Sequence, residues 1–468
     1  MVFSSLSFIY FLFPLVIVLY FAVKNRIWRN VVLLIASLLF YSWGEPKRIA
    51  LMLLATMVAY IGGLMMARFD RSGQNTIKRI SCAVSVILLI ANLFVFKYFN
   101  FFVDNINVLF GADIKLQEIV LPIGISFYTF QILSYVIDLY RGKVKLQRNY
   151  FYLLLYVSFF PQLIAGPIVR YSTVEDEILN RRENMDDVMS GTKCFIIGLS
   201  KKVLIANNVG AIAEMIYAGD TAVFGGAMYW IAAIAYTLQL YFDFSGYSDM
   251  AIGLGRIFGF HFPENFNYPY ISCSVTEFWR RWHISLSSWF RDYVYIPLGG
   301  NRTSKGRWIL NILIVWGITG FWHGANWNFL LWGLYYGVLL LLEKLLLGKL
   351  LERIPKFFGW IYTMFFVIIG WVLFNITDMQ QLMNAFRIMF TLPPTDWLAA
   401  TAKNIAVMKG LFYIPLGILC SFPIVKKIDC SKTFVGTLVS HGVHFVLLML
   451  CIITIISTKY NPFIYFRF

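Results

Sequence analysis

Apolar runs of roughly bilayer length recur along this chain, separated by short gaps rich in lysine and arginine. A run of about twenty apolar residues must be buried along its whole length, and in lipid only a helix or a closed barrel satisfies the backbone inside it. The runs lie near 5–23, 30–43, 49–67, 80–99, 121–139, 150–169, 191–217, 224–242, 308–322, 327–347, 357–375, 408–425 and 437–457. They predict about eleven to thirteen spans, and hence an all-α polytopic membrane protein. Composition agrees. Of 468 residues, 59% are hydrophobic and 14% charged, with a mean hydropathy of +0.69, which leaves far less charge than a soluble chain of this length exposes. A net charge of +16 would suit nucleic acid. Its carriers, however, fall in the gaps, as at 68–79 (Arg68, Arg71, Lys78, Arg79) and 141–148 (Arg141, Lys143, Lys145, Arg148). That is the positive-inside pattern of a protein surrounded by membrane lipid, so no nucleic-acid partner is expected. The first run has no basic stretch before it and no evident cleavage site. It is expected to remain as a helix running from outside to inside, ahead of Lys24, Arg26 and Arg29.

No soluble domain, repeat or low-complexity stretch interrupts the pattern. One membrane domain over 1–468 is expected, with a short aromatic tail at 461–468. Several runs are poor spans. In FFPQLIAGPIVR, Pro161 and the Gly166–Pro167 pair break any helix at membrane depth, where irregular backbone survives only inside protein or along a cavity. YFDFSGYSDMAIGLG carries Asp243 and Asp249 in a glycine-rich apolar run, and 259–273 is too polar and proline-rich to cross. Re-entrant elements around a water-accessible cavity fit these defects better than a simple bundle. The six cysteines (Cys82, Cys194, Cys273, Cys420, Cys430, Cys451) show no metal-ligand spacing and read as small core hydrophobes, with no metal expected.

The stretch 274–336 organises the rest. Ser274 and Glu277 have capping-box spacing. Phe278, Trp279, Trp282, Leu286, Trp289 and Phe290 then share one helical face, with Arg280, Arg281 and Arg291 on the other. This predicts a helix lying along the membrane surface, with His283 at the edge of its apolar face. His283 is then either an interfacial anchor or a working group. His323, in GFWHGANW, lies at membrane depth, where an imidazole is costly unless satisfied or used. A neutral imidazole can take the proton of a hydroxyl as that hydroxyl attacks an acyl group; a histidine hydrogen-bonded inside the bundle is the plainer alternative. Trp322 and Asn326 flank it. Arg280, Arg281, Arg291 and Arg302 suit the phosphates of a nucleotide-bearing donor such as a coenzyme A thioester, or merely mark the cytosolic side. Asp243 and Asp249 carry protons, orient a histidine or pair with cations. His261, His441 and His444 read as structural. Tyr465, in the terminal FIYFRF, is either part of an aromatic belt or a hydroxyl able to receive an acyl group.

From YFDFSGYSDMAIGLG through TEFWRRWHISLSSWFRDYVYIPLGGNR to GFWHGANW, and in its opening MVFSSLSFIYFLFP and its ending FIYFRF, the chain resembles the membrane-bound O-acyltransferases. The likeness is to the bacterial branch containing alginate O-acetylation and peptidoglycan O-acetyltransferase membrane subunits. It implies a helical body around a transverse tunnel. No bound cofactor is implied; acetyl-CoA or another acyl thioester is the donor substrate. The acyl group passes outward to an extracytoplasmic SGNH-hydrolase-like acetyltransferase that modifies a polysaccharide, from a bacterial cytoplasmic membrane. It maps the family's histidines onto His323 and His283, and strengthens Tyr465 as a carrier. D-alanyl transfer, or a flippase for an acylated lipid-linked sugar, stays open at this point.

Overall fold

Helix satisfies every backbone group of an apolar segment internally. Among the described residues the regular structure is helical and no strand occurs. The computed structural model describes residues 1–219, 223–397, 405–424, 433–458 and 464. They fall into two compact units, Met1–Phe195 with Met250–Pro263 and Ile196–Asp249 with Glu264–Phe468.

Six helices among the described residues are long and apolar enough to cross a membrane: Ile49–Arg71 (α1), Asn75–Lys97 (α2), Met185–Ala218, Trp327–Arg353, Lys356–Asn375 and Val435–Ser457. That is fewer than the apolar runs predict, because several runs fold as shorter or interrupted helices. The first gives only Phe8–Ala22. The run at 150–169 breaks where its prolines and glycine require. Helix α3 (Tyr150–Ser158) ends at Phe159, a four-residue helix Phe160–Leu163 comes next, and irregular chain runs through Gly166–Pro167. Residues 159–169, where the helix is interrupted, are all buried, the condition under which non-helical backbone is tolerated at that depth.

In the first unit the start of the chain is tied down by charge. Glu183 accepts from Nη1 of Arg26 and Nη1 of Arg29, each at 2.6 Å, and from the hydroxyl of Tyr20. Arg181, 3% exposed, donates Nε to Tyr20 Oη (3.1 Å) and to the Phe258 carbonyl (3.0 Å). Its guanidinium also stacks over the Phe260 ring at 4.5 Å. Burial alone would raise the Glu183 carboxyl; hydrogen bonds from Arg26 and Tyr20 outweigh it and hold the group down to about 2.

In the second unit the aspartate-bearing run is not a broken span. It continues a 32-residue helix, α4 (Gly226–Ile257). What makes this possible is pairing: Asp243 meets Lys202 at 2.5 Å and Asp249 meets Lys201 at 2.6 Å. Both lysines sit on a π-helical stretch, Lys201–Ala206, whose wider turn sets their register against α4. Five helices later in the chain build the site: α5 (Val275–Arg281), α6 (Ile284–Phe290), α7 (Lys305–His323), α8 (Trp327–Leu342) and α9 (Lys356–Asn375).

Candidate active site

Helix α5 begins as its sequence predicts. The Ser274 hydroxyl accepts from the Glu277 amide (3.0 Å), and the Glu277 carboxylate accepts from the Cys273 amide (3.0 Å). A second carboxylate reinforces that start. Glu343, 3% exposed within the spanning segment Trp327–Arg353, accepts from the amides of Val275 (2.6 Å) and Thr276 (2.8 Å) and from the Thr276 hydroxyl (2.6 Å). A polar group in so apolar a segment is accommodated because its oxygens meet free amides at the start of α5.

The predicted continuous surface helix does not form. Helix α5 stops at Arg281, Trp282 is extended (φ −101°, ψ 130°), His283 is left-handed (φ 45°, ψ 54°), and α6 starts afresh. The cause lies upstream, in 265–267. The Ile284 amide donates to the Asn265 carbonyl (3.0 Å), the Asn267 amide to the Arg281 carbonyl (2.9 Å), and the Ser285 amide to Asn265 Oδ1 (3.2 Å). These partners replace the internal bonds that an unbroken helix would have made. Nor does the tryptophan face meet lipid. Trp279 packs edge-on against Trp316 and Tyr336, each at 4.8 Å, and Trp282 lies 4.8 Å from Trp371.

His323 ends α7, which lies in backbone contact with α8. A Cβ on Gly320 would sit 2.1 Å from the Phe329 carbonyl oxygen, and one on Gly333 2.2 Å from that of Trp316. That approach wedges the His323 ring between Trp332 (5.1 Å) and Phe374 (5.2 Å), with only 7% of the residue exposed.

The two histidines meet in one cavity of about 270 Å³. Trp279, Trp282, Leu286, Phe290, Ile312 and Trp316 give it apolar walls, and Arg280, Arg291, Lys344, Ser287 and Tyr295 also line it. Arg280 and Lys344 are exposed, as is Arg291, so cationic groups stand where the cavity meets its surroundings. Two buried polar atoms on lining residues, His283 Nε2 and Trp279 Nε1, find no hydrogen-bond partner among the described residues. One is a ring nitrogen and the other an indole N–H donor. Leaving such groups unmet is expensive unless a ligand meets them. His283 is 1% exposed, and burial pushes its imidazole down to about 3, so it stays neutral.

The other residues singled out by sequence lie elsewhere. Arg281 pairs with Glu277 (2.9 Å) and Arg302 lies in an exposed turn; neither lines the cavity. Trp322 stands behind it, 6.2 Å from the His283 ring. Asn326 caps α8, accepting from the Asn328 amide at 3.3 Å. Asp243 and Asp249 are held by their lysines. Tyr465 lies outside the described residues, but its neighbour Ile464 is buried and donates its amide to Asp243 Oδ2 at 2.9 Å. His261 pairs with Glu177 (2.8 Å), while His441 and His444 bond carbonyls one turn back. Sequence reasoning passed over Trp279, Glu343 and Lys344. The signal for the last two was present: Glu343–Lys344 interrupts an otherwise apolar run, and an ionisable pair inside a span marks a site.

A helical membrane protein with a cation-edged, aromatic-walled cavity holding two imidazoles is thereby defined. Residues 146–386 match the membrane-bound O-acyltransferase family, and the chain belongs to it. It is 41% identical over 401 residues to "Probable alginate O-acetylase AlgI" of Azotobacter vinelandii, covering 85% of this chain and 79% of the relative. The protein of the same name from Pseudomonas putida is 38% identical over the full length of both. A peptidoglycan O-acetyltransferase of Helicobacter pylori is 33% identical across 83% of this chain and 79% of its own. The chain is a multi-pass membrane acyltransferase.

Proposed function

We propose that this enzyme takes an acetyl group from acetyl-CoA at the cytosolic face of a bacterial inner membrane and passes it through the protein toward an extracytoplasmic polysaccharide. The observation that carries the reading is the cavity itself: two histidines on an aromatic wall, with an acceptor and a donor unmet, beside three exposed cations. Arg280, Arg291 and Lys344 hold the phosphates of the donor, guanidinium being the better match to phosphate. The thioester lies between the tryptophans, its carbonyl oxygen accepting from Trp279 Nε1–H, a donor aimed at the charge that develops on that oxygen. His323 takes the proton of the attacking hydroxyl. The new C–O bond forms, the C–S bond breaks, and the proton returns to the departing thiolate. The hydroxyl is that of Tyr465, whose neighbour Ile464 is anchored on Asp243. From Tyr465 the acetyl group goes to an SGNH-hydrolase-like transferase outside, which modifies the polymer. The names of the relatives favour alginate or peptidoglycan as that polymer.

The test uses purified full-length protein in nanodiscs with acetyl-labelled acetyl-CoA. Free thiol is expected to be released as label appears on the protein at Tyr465, and Tyr465→Phe is expected to abolish the labelling. Thiol release without protein-bound label would overturn the carrier; no thiol release would overturn the donor.

A further inference from the structure

Asn265 lies 18 residues before His283, in a stretch too polar and proline-rich to span, and nothing in the family likeness gives it a task. Its side chain nevertheless sits at the break that presents the histidine. Asn265 Oδ1 accepts from the Ser285 amide (3.2 Å) and from the Ser285 hydroxyl (2.9 Å), and stands 3.2 Å from His283 Nδ1. Asn265 Nδ2 donates to the Ser248 hydroxyl at 3.1 Å. Asn265 is 1% exposed.

The identity of these atoms comes from one donor that has no choice. A backbone N–H can only donate, so the atom facing the Ser285 amide is the carboxamide oxygen rather than its nitrogen. That oxygen has no proton to give. His283 Nδ1, facing the same oxygen, therefore carries the hydrogen. In a neutral imidazole the other nitrogen then holds the lone pair, and Nε2 is the atom with no partner among the described residues, on a residue that lines the cavity. Backbone geometry adds to the argument. His283 is one of three non-glycine residues at positive φ among the described residues, and such strain persists only where its surroundings enforce it. Asn265 does so on the C-terminal side of the break, through the Ile284 amide and the Ser285 amide and hydroxyl, while the Asn267 amide holds the Arg281 carbonyl on the other side. Ring packing completes the frame: Phe244 meets the imidazole edge-on at 4.6 Å.

We infer that Asn265 is a positioning residue which fixes His283 as its Nδ1–H tautomer, so that Nε2 offers the cavity a hydrogen-bond acceptor for a hydroxyl or amide. The inference rests on the acyl-transfer reading for its consequence, since the group that donates to Nε2 belongs to the bound acyl donor whose thioester is attacked. It does not need that reading for its chemistry. It also divides the labour between the histidines: His323 takes the proton of the attacking hydroxyl, and His283 Nε2 accepts from a separate hydroxyl or amide of the bound acyl donor and holds the thioester in line.

Two measurements test it on full-length protein in nanodiscs. The first is nitrogen NMR of the ¹⁵N-histidine-labelled protein, with His283 assigned from the signal lost in His283→Gln. A protonated Nδ1 and unprotonated Nε2 are expected in the wild type, with the two tautomers mixing in Asn265→Ala. An unprotonated Nδ1 in the wild type, or an unchanged signal in Asn265→Ala, overturns the inference. The second is the pH profile of acetyl transfer. Asn265→Ala is expected to lower kcat roughly tenfold or more, with KM for acetyl-CoA changed far less. Asn265→Asp keeps the acceptor but adds a negative charge that favours the imidazolium, so its rate is expected to fall off at higher pH on the acid side than that of the wild type. His323, Arg280, Arg291, Lys344 and Tyr295 line the same cavity and are common to both proteins, so they cancel in the comparison. Superimposable profiles with kcat intact overturn the inference. If acetyl-CoA is not turned over at all, the acyl-transfer reading fails while the nitrogen signals still decide the role of Asn265.

Discussion

Two polar clusters, one in each unit, use buried charge and hydrogen bonding in opposite ways. Around Glu183 nearly every group is met. Two arginines grip the carboxylate, Tyr20 adds a hydroxyl, and Arg181 spends its nitrogens on Tyr20 and three carbonyls, only its Nη2 lacking a partner. Around the cavity, His283 Nε2 and Trp279 Nε1 are buried and unmet. The first arrangement stabilises a fold, because its polar groups return to protein what they lost from water. The second costs stability, and such a cost persists where a ligand recovers it. Polar completeness, rather than burial, distinguishes these two clusters.

The largest effect expected from this contrast is on chemistry. His323→Ala should lower acetyl transfer by about 10²- to 10⁴-fold while the thermal unfolding midpoint moves little, as removal of a proton acceptor predicts. A variant that keeps its rate would remove His323 from the chemistry. Glu183→Gln should do the reverse. It leaves Arg26, Arg29 and Arg181 facing no carboxylate, and breaking a buried pair costs about 3–5 kcal/mol. A lowered melting temperature is expected, with turnover per folded molecule preserved; an unchanged melting curve would show that the cluster holds nothing.

Trp279→Phe keeps most of the wall but removes the indole N–H. A fall in kcat of about tenfold or more is expected with little change in KM, and an unaltered kcat would mean that the carbonyl is bound elsewhere. A subtler difference should appear with pH. Because the Glu183 carboxyl is depressed to about 2 from an ordinary 4.5, its contribution to stability is fully present above 4.5 and is lost as pH falls through about 2. In Glu183→Gln that part of the acid-unfolding curve should flatten, which a melting series across the window would show. The smallest effect belongs to the cavity's exposed edge. Arg280→Ala should raise KM for acetyl-CoA only a few-fold, and the rise should shrink as salt is added. An effect on kcat alone would place the phosphates elsewhere.

Much of the fold was legible because lipid leaves a chain few options. Apolar runs became helices, and FFPQLIAGPIVR broke at Phe159, just ahead of Pro161, and again before Gly166–Pro167. Ser274 and Glu277 capped the helix they begin. The tryptophan face of 278–290 was misread for a physical reason. An apolar face shows that water is avoided, yet lipid and protein interior satisfy that requirement alike, with no sequence mark to tell them apart. Nor does RRWHIS contain a glycine or proline to announce the left-handed His283; the break comes from Asn265, whose bonds cross a loop.

The sequence by itself determined that this chain is helical, lies in a membrane and carries two histidines beside tryptophans, because hydropathy and periodicity are properties of a segment alone. Only the tertiary structure decided that His283 and His323 share a cavity, that Arg281 and Arg302 stand apart from it, and that Glu343 secures a helix 67 residues away. Those outcomes depend on which distant groups reach one another, and hydrogen bonds and ion pairs are won by geometry that no local pattern records.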